Sequence, residues 1–468
     1  MLLRQFYHEG LAQSSYLIGC QKYGQAIVVD PNRLTDQYLA AAQNAGLRIV
    51  AVAETHIHAD FVSGARELAQ QAGARLYLPD AGPLEYRYAA AYLAEARPLH
   101  DGETITVGLV RISAFATPGH TPEHMSLLVT DGAAADLPMA VLSGDCLFVG
   151  DVGRPDLLER SVGVAQTSTS LARQLYRSLE RLRGLPEFVQ VLPGHGAGSA
   201  CGKSLGAVPQ SVIGYELRFN PAFGMRDEIR FVRDILAGQP DPPPYFARMK
   251  RLNQMGPPPS PGVPQRRSAG ELPEALHSGL RILDTRPADV YAAGHLTGSI
   301  NIPFDQAFLT WAGWLIDGEE PLGLIAPADQ IDACCRELAL IGIDHLSGAW
   351  DAAVLERMPV AGCALASISR RQAAELYELV VSGQATVIDV RRHAERAEGK
   401  IAGSLGIPLA NLAAAAADLP AGPLIVHCQG GVRSPIAASM LTAAGHRTVI
   451  DMVDGYSGWE QVMRRRRA

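Results

Sequence analysis

Two imidazoles and a carboxylate crowd into Thr55-His56-Ile57-His58-Ala59-Asp60. Further along, Thr117-Pro118-Gly119-His120-Thr121-Pro122 adds a histidine, Ser143-Gly144-Asp145-Cys146-Leu147-Phe148 a carboxylate, and Pro193-Gly194-His195-Gly196 a last histidine. A metal ion needs several lone pairs converging from rigid positions, and these are the side chains that supply them. An isolated histidine such as His8 or His277 is ordinarily a surface or core residue. Four ordered motifs are a different matter, and together they predict a metal site. A second concentration of chemistry lies at Leu424-Ile425-Val426-His427-Cys428-Gln429-Gly430-Gly431-Val432-Arg433-Ser434. It reads as a buried strand, a cysteine, a glycine-containing loop and a helix start. The N–H groups of such a loop and helix make an anion cradle, which stabilises a thiolate. Arg433 is placed to close that cradle.

These side chains need strand ends to hold them. Ser15-Tyr16-Leu17-Ile18-Gly19 and Gln25-Ala26-Ile27-Val28-Val29-Asp30 predict paired strands. A helix over 34–45 stops at Gly46, and the apolar run Ile49-Val50-Ala51-Val52-Ala53 predicts a central strand delivering His56 at its C-terminal end. A second helix is expected over 61–72, strands over 75–78, 105–116, 125–129 and 140–142, an amphipathic helix over 169–183, and a buried strand over 188–192 that ends at His195. Every metal motif thus falls at a strand end.

Composition then shifts. Pro240, Pro242, Pro243, Pro244, Pro257, Pro258, Pro259, Pro261 and Pro264 mark a stiff linker or surface wrap over 238–268. Beyond it, Arg281-Ile282-Leu283-Asp284-Thr285-Arg286 and Gly294-His295-Leu296-Thr297-Gly298-Ser299-Ile300-Asn301-Ile302-Pro303 match a later pair of passages. Those are Val387-Ile388-Asp389-Val390-Arg391 and Gly399-Lys400-Ile401-Ala402-Gly403-Ser404-Leu405-Gly406-Ile407-Pro408. Both read as a strand ending in Asp-x-Arg, a turn, and a strand ending in Ile-Pro, so a domain of about a hundred residues is duplicated.

The net charge of -7 carries no long like-charge block, and the tail Arg464-Arg465-Arg466-Arg467 reads as a solvated terminus, so nucleic acid is not an expected partner. No run of 18 apolar residues is present, and the N-terminus has no signal-peptide pattern, so neither a membrane span nor export is expected. Seven scattered cysteines, an odd number, fit free thiols in a reducing, cytoplasmic compartment rather than a disulfide framework.

The metal motifs resemble those of the metallo-β-lactamase superfamily, over 1–237. The resemblance implies an αββα sandwich with the metal at one edge. Hydrolases of that superfamily run His-x-His-x-Asp-His and hold two zinc ions; here Phe61 stands where the last histidine would be, and a phenyl ring cannot ligate. The second position then keeps Asp60, His195 and a shared Asp145. What remains, His56, His120 and Asp145, is the two-His, one-carboxylate set of non-haem Fe(II) oxygenases. The resemblance thus narrows to the persulfide dioxygenase branch and implies Fe(II), one per chain, with His58, Asp60 and His195 hydrogen-bonding and orienting the ligands. The segment Gly150-Asp151-Val152-Gly153-Arg154-Pro155-Asp156 also matches that branch. Arg154 could pair with a substrate carboxylate or stabilise a turn. Cys201 could take part in substrate binding by accepting sulfur, or be a small buried residue; Cys146 is expected to pack behind Asp145.

The loop at Cys428 resembles the rhodanese active loop, in which the cysteine carries a persulfide sulfur. Four residues separate Cys428 from Arg433, against five in cysteine phosphatases, and the shorter loop suits a sulfur atom. Asp389 and Arg391 would buttress it. The first repeat has no such cysteine: the loop is expected at Ile341-Gly342-Ile343-Asp344-His345-Leu346-Ser347-Gly348-Ala349-Trp350, and Cys334 and Cys335 lie elsewhere. The expected organisation is α/β multidomain, with the sandwich at 1–237, the linker at 238–268, an inactive rhodanese-like domain at 269–362 and an active one at 363–468.

The implied activity is oxidation of a low-molecular-weight thiol persulfide by O2 to sulfite, with thiosulfate formed at Cys428, as in sulfide detoxification. A homo-oligomer is expected. Two alternatives stand beside it: a zinc-dependent thioester hydrolase of the glyoxalase II type with rhodanese appendages, and a non-enzymatic sulfur carrier or sensor.

Overall fold

Alternate side chains of the N-terminal strands feed two different cores. In β3 (Gln25–Val29), Ile27 and Val29 enter one apolar cluster, Ala26 and Val28 another; in β2 (Gln13–Cys20), Tyr16 and Ile18 part from Leu17 in the same way. Strands buried on both faces must lie inside a layered structure. The computed structural model describes residues 1–163, 167–357 and 363–467. They form two compact units, Met1–Pro261 with Leu338–Gly342, and Gly262–Glu337 with Ile343–Ala468.

The first unit holds two six-stranded sheets. One runs β1 (Leu2–His8), β2, β3, β4 (Arg48–Ala53), β5 (Arg75–Pro79) and β6 (Arg97–Leu99), antiparallel up to β3 and parallel after it. The other contains β7 (Thr104–Val107), β8 (Val110–Ala116), β9 (Met125–Asp131), β10 (Ala140–Gly144), β11 (Gln190–Pro193) and β12 (Ser211–Val212), in the spatial order β12-β11-β10-β9-β8-β7. Ile27, Val29, Ile112, Leu127, Val129 and Leu142 fill the space between the sheets. Helices Thr35–Asn44 and Ala65–Ala72 cover the outer face of the first sheet through Tyr38, Ala41 and Leu68. Helices Thr167–Arg183 and Glu228–Leu236 cover the second through Leu175, Leu179 and Phe231. The result is an αββα sandwich, in which each fully buried Leu or Val contributes about 1.5–3 kcal/mol.

Three expectations need correction here. The second helix begins at Ala65 and not at 61, because residues 54–64 form the loop that carries the metal motif. The strand expected over 105–116 is a hairpin turning at Gly108, β7 against β8. The stretch 238–268 is not a bare linker. It contains a helix, Phe246–Met255, and the first unit extends through Pro261. Clustered prolines marked the irregular chain on either side and hid the ten-residue helix between them.

The second unit repeats one sheet frame. β13 (Arg281–Asp284), β14 (His295–Leu296), β15 (Ile300–Asn301), β16 (Leu322–Ala326), β17 (Leu346–Asp351) and β18 (Leu365–Ala366) come first, with a parallel sheet ordered β15-β13-β16-β17 and β14 paired to β18. Then β19 (Ser369–Arg371), β20 (Thr386–Asp389), β21 (Leu405–Gly406), β22 (Leu424–His427) and β23 (Val449–Met452) form a parallel sheet ordered β19-β23-β22-β20-β21. Four strands of the second sheet thus match the first, with β22 in the place of β16. The Asp-x-Arg pair closes the same way in both: Arg286 binds Asp284 and the Gly294 carbonyl, and Arg391 binds Asp389 and the Gly399 carbonyl.

That correspondence relocates the missing loop of the first repeat. Residues 428–433 lie between β22 and helix Ser434–Ala443; their counterparts between β16 and helix Ile331–Leu340 are residues 327–330, Pro-Ala-Asp-Gln. The stretch expected for it, Ile341 to Trp350, runs instead into β17. Residues 327–330 contain no glycine to mark the place in the sequence, and no cysteine. The domain boundary expected at 362 lies outside the described residues. No helix among the described residues is long and apolar enough to cross a membrane.

Candidate metal centre and cysteine loop

Four strands of the first unit end at one edge and deliver the metal motifs: β4 the 54–61 loop, β8 His120, β10 Asp145 and β11 His195. Asp30, at the end of β3, anchors the first of these. Its carboxylate accepts the Thr55 N–H at 2.6 Å and the Thr55 hydroxyl at 2.8 Å. The hydroxyl hydrogen is therefore used, so in the 2.9 Å contact between His56 Nδ1 and Thr55 Oγ1 the imidazole donates. His56 carries its proton on Nδ1 and presents a bare Nε2. His120 Nδ1 meets the Arg154 carbonyl at 3.1 Å, which only accepts, so His120 Nε2 is bare as well. Asp145 Oδ1 accepts from His195 Nδ1 at 2.7 Å, while Oδ2 is buried with no hydrogen-bond partner. That oxygen lies 3.8 Å from His56 Nε2 and 3.5 Å from His120 Nε2. Three unused lone pairs face one space, which is what a metal ion satisfies.

Charge suits the same reading. Burial holds His56 well below the usual imidazole range and His120 down at about 4, so both stay neutral. Burial would raise the Asp145 carboxyl, but the charge and hydrogen bond of His195 draw it down. His195 itself is bound by two carboxylates, Asp145 through Nδ1 and Asp60 through Nε2, both at 2.7 Å. Burial opposes its proton, yet Asp145 and Asp60 hold it up at about 10.

His58 is not among the convergent three. Its Nε2 lies 2.9 Å from Glu54 and 3.2 Å from Asp30, and these carboxylates outweigh burial to keep it protonated. Asp60 and His195 gather with Cys201 instead. Phe61 is fully buried against His58, with ring centroids 4.4 Å apart. Cys201 is buried beside Asp60, and burial with the two nearby carboxylates pushes its thiol well up, so it stands as a thiol. Cys146 is buried in the core behind Asp145.

Arg154 was expected to meet substrate or a turn, and the substrate role is corrected. Its side chain is fully buried and holds both oxygens of Asp156 at 2.7 Å and the Pro240 carbonyl at 2.7 Å. With its donors turned into the fold it clamps the turn after Asp145 and the chain at 240, and its carbonyl fixes His120.

Several contributors were not read from the sequence. His124 accepts the Asp145 N–H on Nε2 at 3.0 Å and stacks on His56 at 5.0 Å, so it steadies two of the three candidate ligands. Its signal was position, four residues after His120. Gly144, with φ +49°, makes room for it: a Cβ there would stand 2.6 Å from His124 Nε2. Asn253, on the helix Phe246–Met255, donates to the His58 and Phe61 carbonyls at 2.8 and 2.7 Å and accepts from the Ser63 N–H at 2.9 Å. No local pattern could announce it. Asn253→Ala would leave three buried backbone groups unpaired, at about 1–3 kcal/mol each. The variant is expected to unfold at a visibly lower urea concentration and to lose metal to a chelator faster than the parent; an unchanged midpoint would count against this brace.

In the second unit, Cys428 is buried at the end of β22. Its sulfur accepts the Gly431 N–H at 3.2 Å and the Arg433 N–H at 3.3 Å, at the N-terminus of helix Ser434–Ala443. Gly431 has φ +87°, and a Cβ there would overlap the Val453 carbonyl, so the loop's shape requires glycine. Arg391, held by Asp389, reaches Gln429 in the loop at 2.9 Å and stacks over Tyr456. The expectation for Arg433 changes in one respect. Its backbone N–H closes the cradle, whereas its guanidinium is bound in parallel to Glu395 at 2.8 and 2.6 Å. That pair raises Arg433, with a smaller contribution from Cys428 itself.

Residues 8–195 match the Metallo-beta-lactamase superfamily, and residues 268–325 with 372–462 match the Rhodanese-like domain. A crystal structure titled Metallo-beta-lactamase from Staphylococcus aureus is 38% identical, covers 75% of this chain and 99% of its own, and superposes with a TM-score of 0.67. Persulfide dioxygenase ETHE1 of Bos taurus is 29% identical over 42% of this chain and 68% of its own length. Hydroxyacylglutathione hydrolase of Rhodospirillum rubrum is 30% identical over 38% of this chain, which spans only 60% of that protein. These families support an enzyme, with His and Asp side chains fit for metal at the sandwich edge. The chain belongs to the metallo-beta-lactamase superfamily and carries rhodanese-like domains after its sandwich.

Proposed function

We propose that this chain is a non-haem Fe(II) persulfide dioxygenase joined to a thiosulfate-forming sulfurtransferase. The observation that carries the reading is the convergence of two bare Nε2 atoms and the orphaned Asp145 Oδ2, with Phe61 buried where a histidine for a second metal would stand. Iron(II), when bound by His56, His120 and Asp145, supplies the redox chemistry and open positions for two reactants. The protein's part is positioning and electrostatics. Thr55 and the Arg154 carbonyl fix the two imidazoles as neutral Nε2 donors, and His195 steadies Asp145. One persulfide, one O2 and one water would give one thiol, one sulfite and two protons.

The second half of the reading concerns Cys428. The cradle of N–H groups favours a sulfur anion at this position. The Cys428 thiolate attacks the outer sulfur of a second low-molecular-weight persulfide, whose S–S bond breaks to release the thiol, and the transferred sulfur becomes the outer sulfur of an enzyme persulfide. Sulfite attacks that outer sulfur; the S–S bond to Cys428 breaks, thiosulfate leaves, and the thiolate returns. The likeness to persulfide dioxygenase ETHE1 and to rhodanese-like domains supports both halves. Low-molecular-weight persulfide, O2 and sulfite are then the small-molecule partners.

The test is metal content of full-length protein purified without oxygen, together with O2 uptake on adding glutathione persulfide. About one iron per chain with prompt uptake is the expected result. Two zinc ions, no uptake and hydrolysis of glutathione thioesters would put the glyoxalase II type hydrolase in its place, the reading favoured by the likeness to hydroxyacylglutathione hydrolase.

A further inference from the structure

Lys250 is a buried cation that the reading above does not use. It lies on the helix Phe246–Met255 with only 9% of its surface exposed. Among the described residues it makes no hydrogen bond and no ion pair. A lysine side chain this far buried with no protein partner for its charge is uncommon, and its Nζ is not among the fully enclosed unpartnered atoms, so the charge is open to a small ligand.

Its helix shows where it faces. Phe246, Lys250 and Asn253 follow at spacings of four and three, so they share one face. Phe246 packs with Ala59, Phe148 and Cys201, and Asn253 binds the backbone of His58 and Phe61. Lys250 between them is thereby set over the loop of the metal motif. Glu123 does not neutralise Lys250 by contact: one carboxylate oxygen accepts the Ile57 N–H at 2.9 Å, and the other is buried without a hydrogen-bond partner. The Thr121 hydroxyl, one residue from His120, is likewise buried and unpartnered. Unused polar groups therefore gather on the His120 side of the metal centre. Burial lowers Lys250 from its usual range, with Glu123 opposing.

We infer that Lys250 is a substrate-binding residue of the metal centre, pairing with the anionic sulfur group of the substrate: the terminal sulfur of a persulfide and, after oxidation, the sulfite oxyanion. This rests on the dioxygenase reading for the identity of the anion. A cation on the helix face that packs against the loop of the metal motif is placed to meet the reacting group rather than the distant end of the carrier. It compensates negative charge that the Asp145 carboxylate would otherwise oppose.

The experiment is anaerobic calorimetric titration of full-length protein, holding the metal it carries on purification, with two probes. Sulfite has the sulfur oxyanion and no carrier; S-methylglutathione has the carrier carboxylates and no sulfur anion. Lys250→Met is expected to weaken sulfite binding about tenfold or more, as loss of one buried charge-assisted pair would. It should leave S-methylglutathione and metal content unchanged, and Lys250→Arg should retain most of the sulfite affinity. Should Lys250→Met fail to fold, Lys250→Gln, similar in length and polar but uncharged, carries the comparison. Sulfite binding within twofold of the parent overturns the assignment, as does a loss confined to S-methylglutathione, or a parent that binds no sulfite. The dioxygenase reading fails separately: absent O2 uptake with a tenfold loss of sulfite affinity would keep Lys250 as an anion site and remove only the oxidation.

Discussion

Asp145→Asn should strip the first unit of its metal while leaving it folded. The side chain keeps its shape, so Oδ1 can still accept from His195, but the negative charge is lost and an amide can face the two bare imidazole nitrogens where Oδ2 stood. Altering a group that only orients a ligand weakens metal binding about 10–100-fold, and changing a ligand itself should exceed that range. Metal retained during dialysis against a graded chelator is expected to fall by about a hundredfold in affinity or more, and, on the proposed dioxygenase reading, O2 uptake with glutathione persulfide to fall with it. Asp60→Asn, outside the convergent three, should cost about tenfold. Equal losses at both positions would mean that the metal uses Asp60 as directly as Asp145, and the single-metal reading would go.

The second large effect is at Cys428. Serine fills almost the same volume and its hydroxyl can accept the Gly431 and Arg433 N–H groups that the sulfur accepts now, so Cys428→Ser should fold normally. It cannot carry a sulfane sulfur. Thiosulfate formation should drop about a thousandfold or more, to the enzyme-free rate, while O2 uptake is unchanged and sulfite accumulates in its place. Unaltered thiosulfate output from the pure variant would falsify the sulfur relay through this residue.

The sequence carried the parts of both sites that lie at strand ends. His56, Asp145 and His195 each follow a short apolar run that reads as a buried strand, His120 follows the alternating strand Val110–Ala116, and Cys428 follows another apolar run. Adjacent sequence therefore fixed their place. What supports them was not legible, because it arrives across the fold: Asn253 meets the 54–64 loop from 190 positions away along the chain. A run of prolines around that helix read as linker. Arg154 could be read two ways because a guanidinium beside a glycine-rich turn serves substrate and backbone equally well, and only its burial between Asp156 and Pro240 decides. The first repeat misled for a different reason. Its strands match, but the loop between β16 and its helix contains none of the glycines by which such loops are recognised, whereas Gly342 and Gly348 lie further along, near β17.

Redesign of the first repeat for sulfur chemistry meets a shortage of chain at residues 327–330. Residues 327–330 bridge strand and helix with four residues where residues 428–433 use six. A thiol placed at 327 would have too short a loop behind it to fold N–H groups around its sulfur, and Pro327 lacks one altogether. No single substitution there builds a cysteine cradle like that of residues 428–433; an insertion and several substitutions must come together.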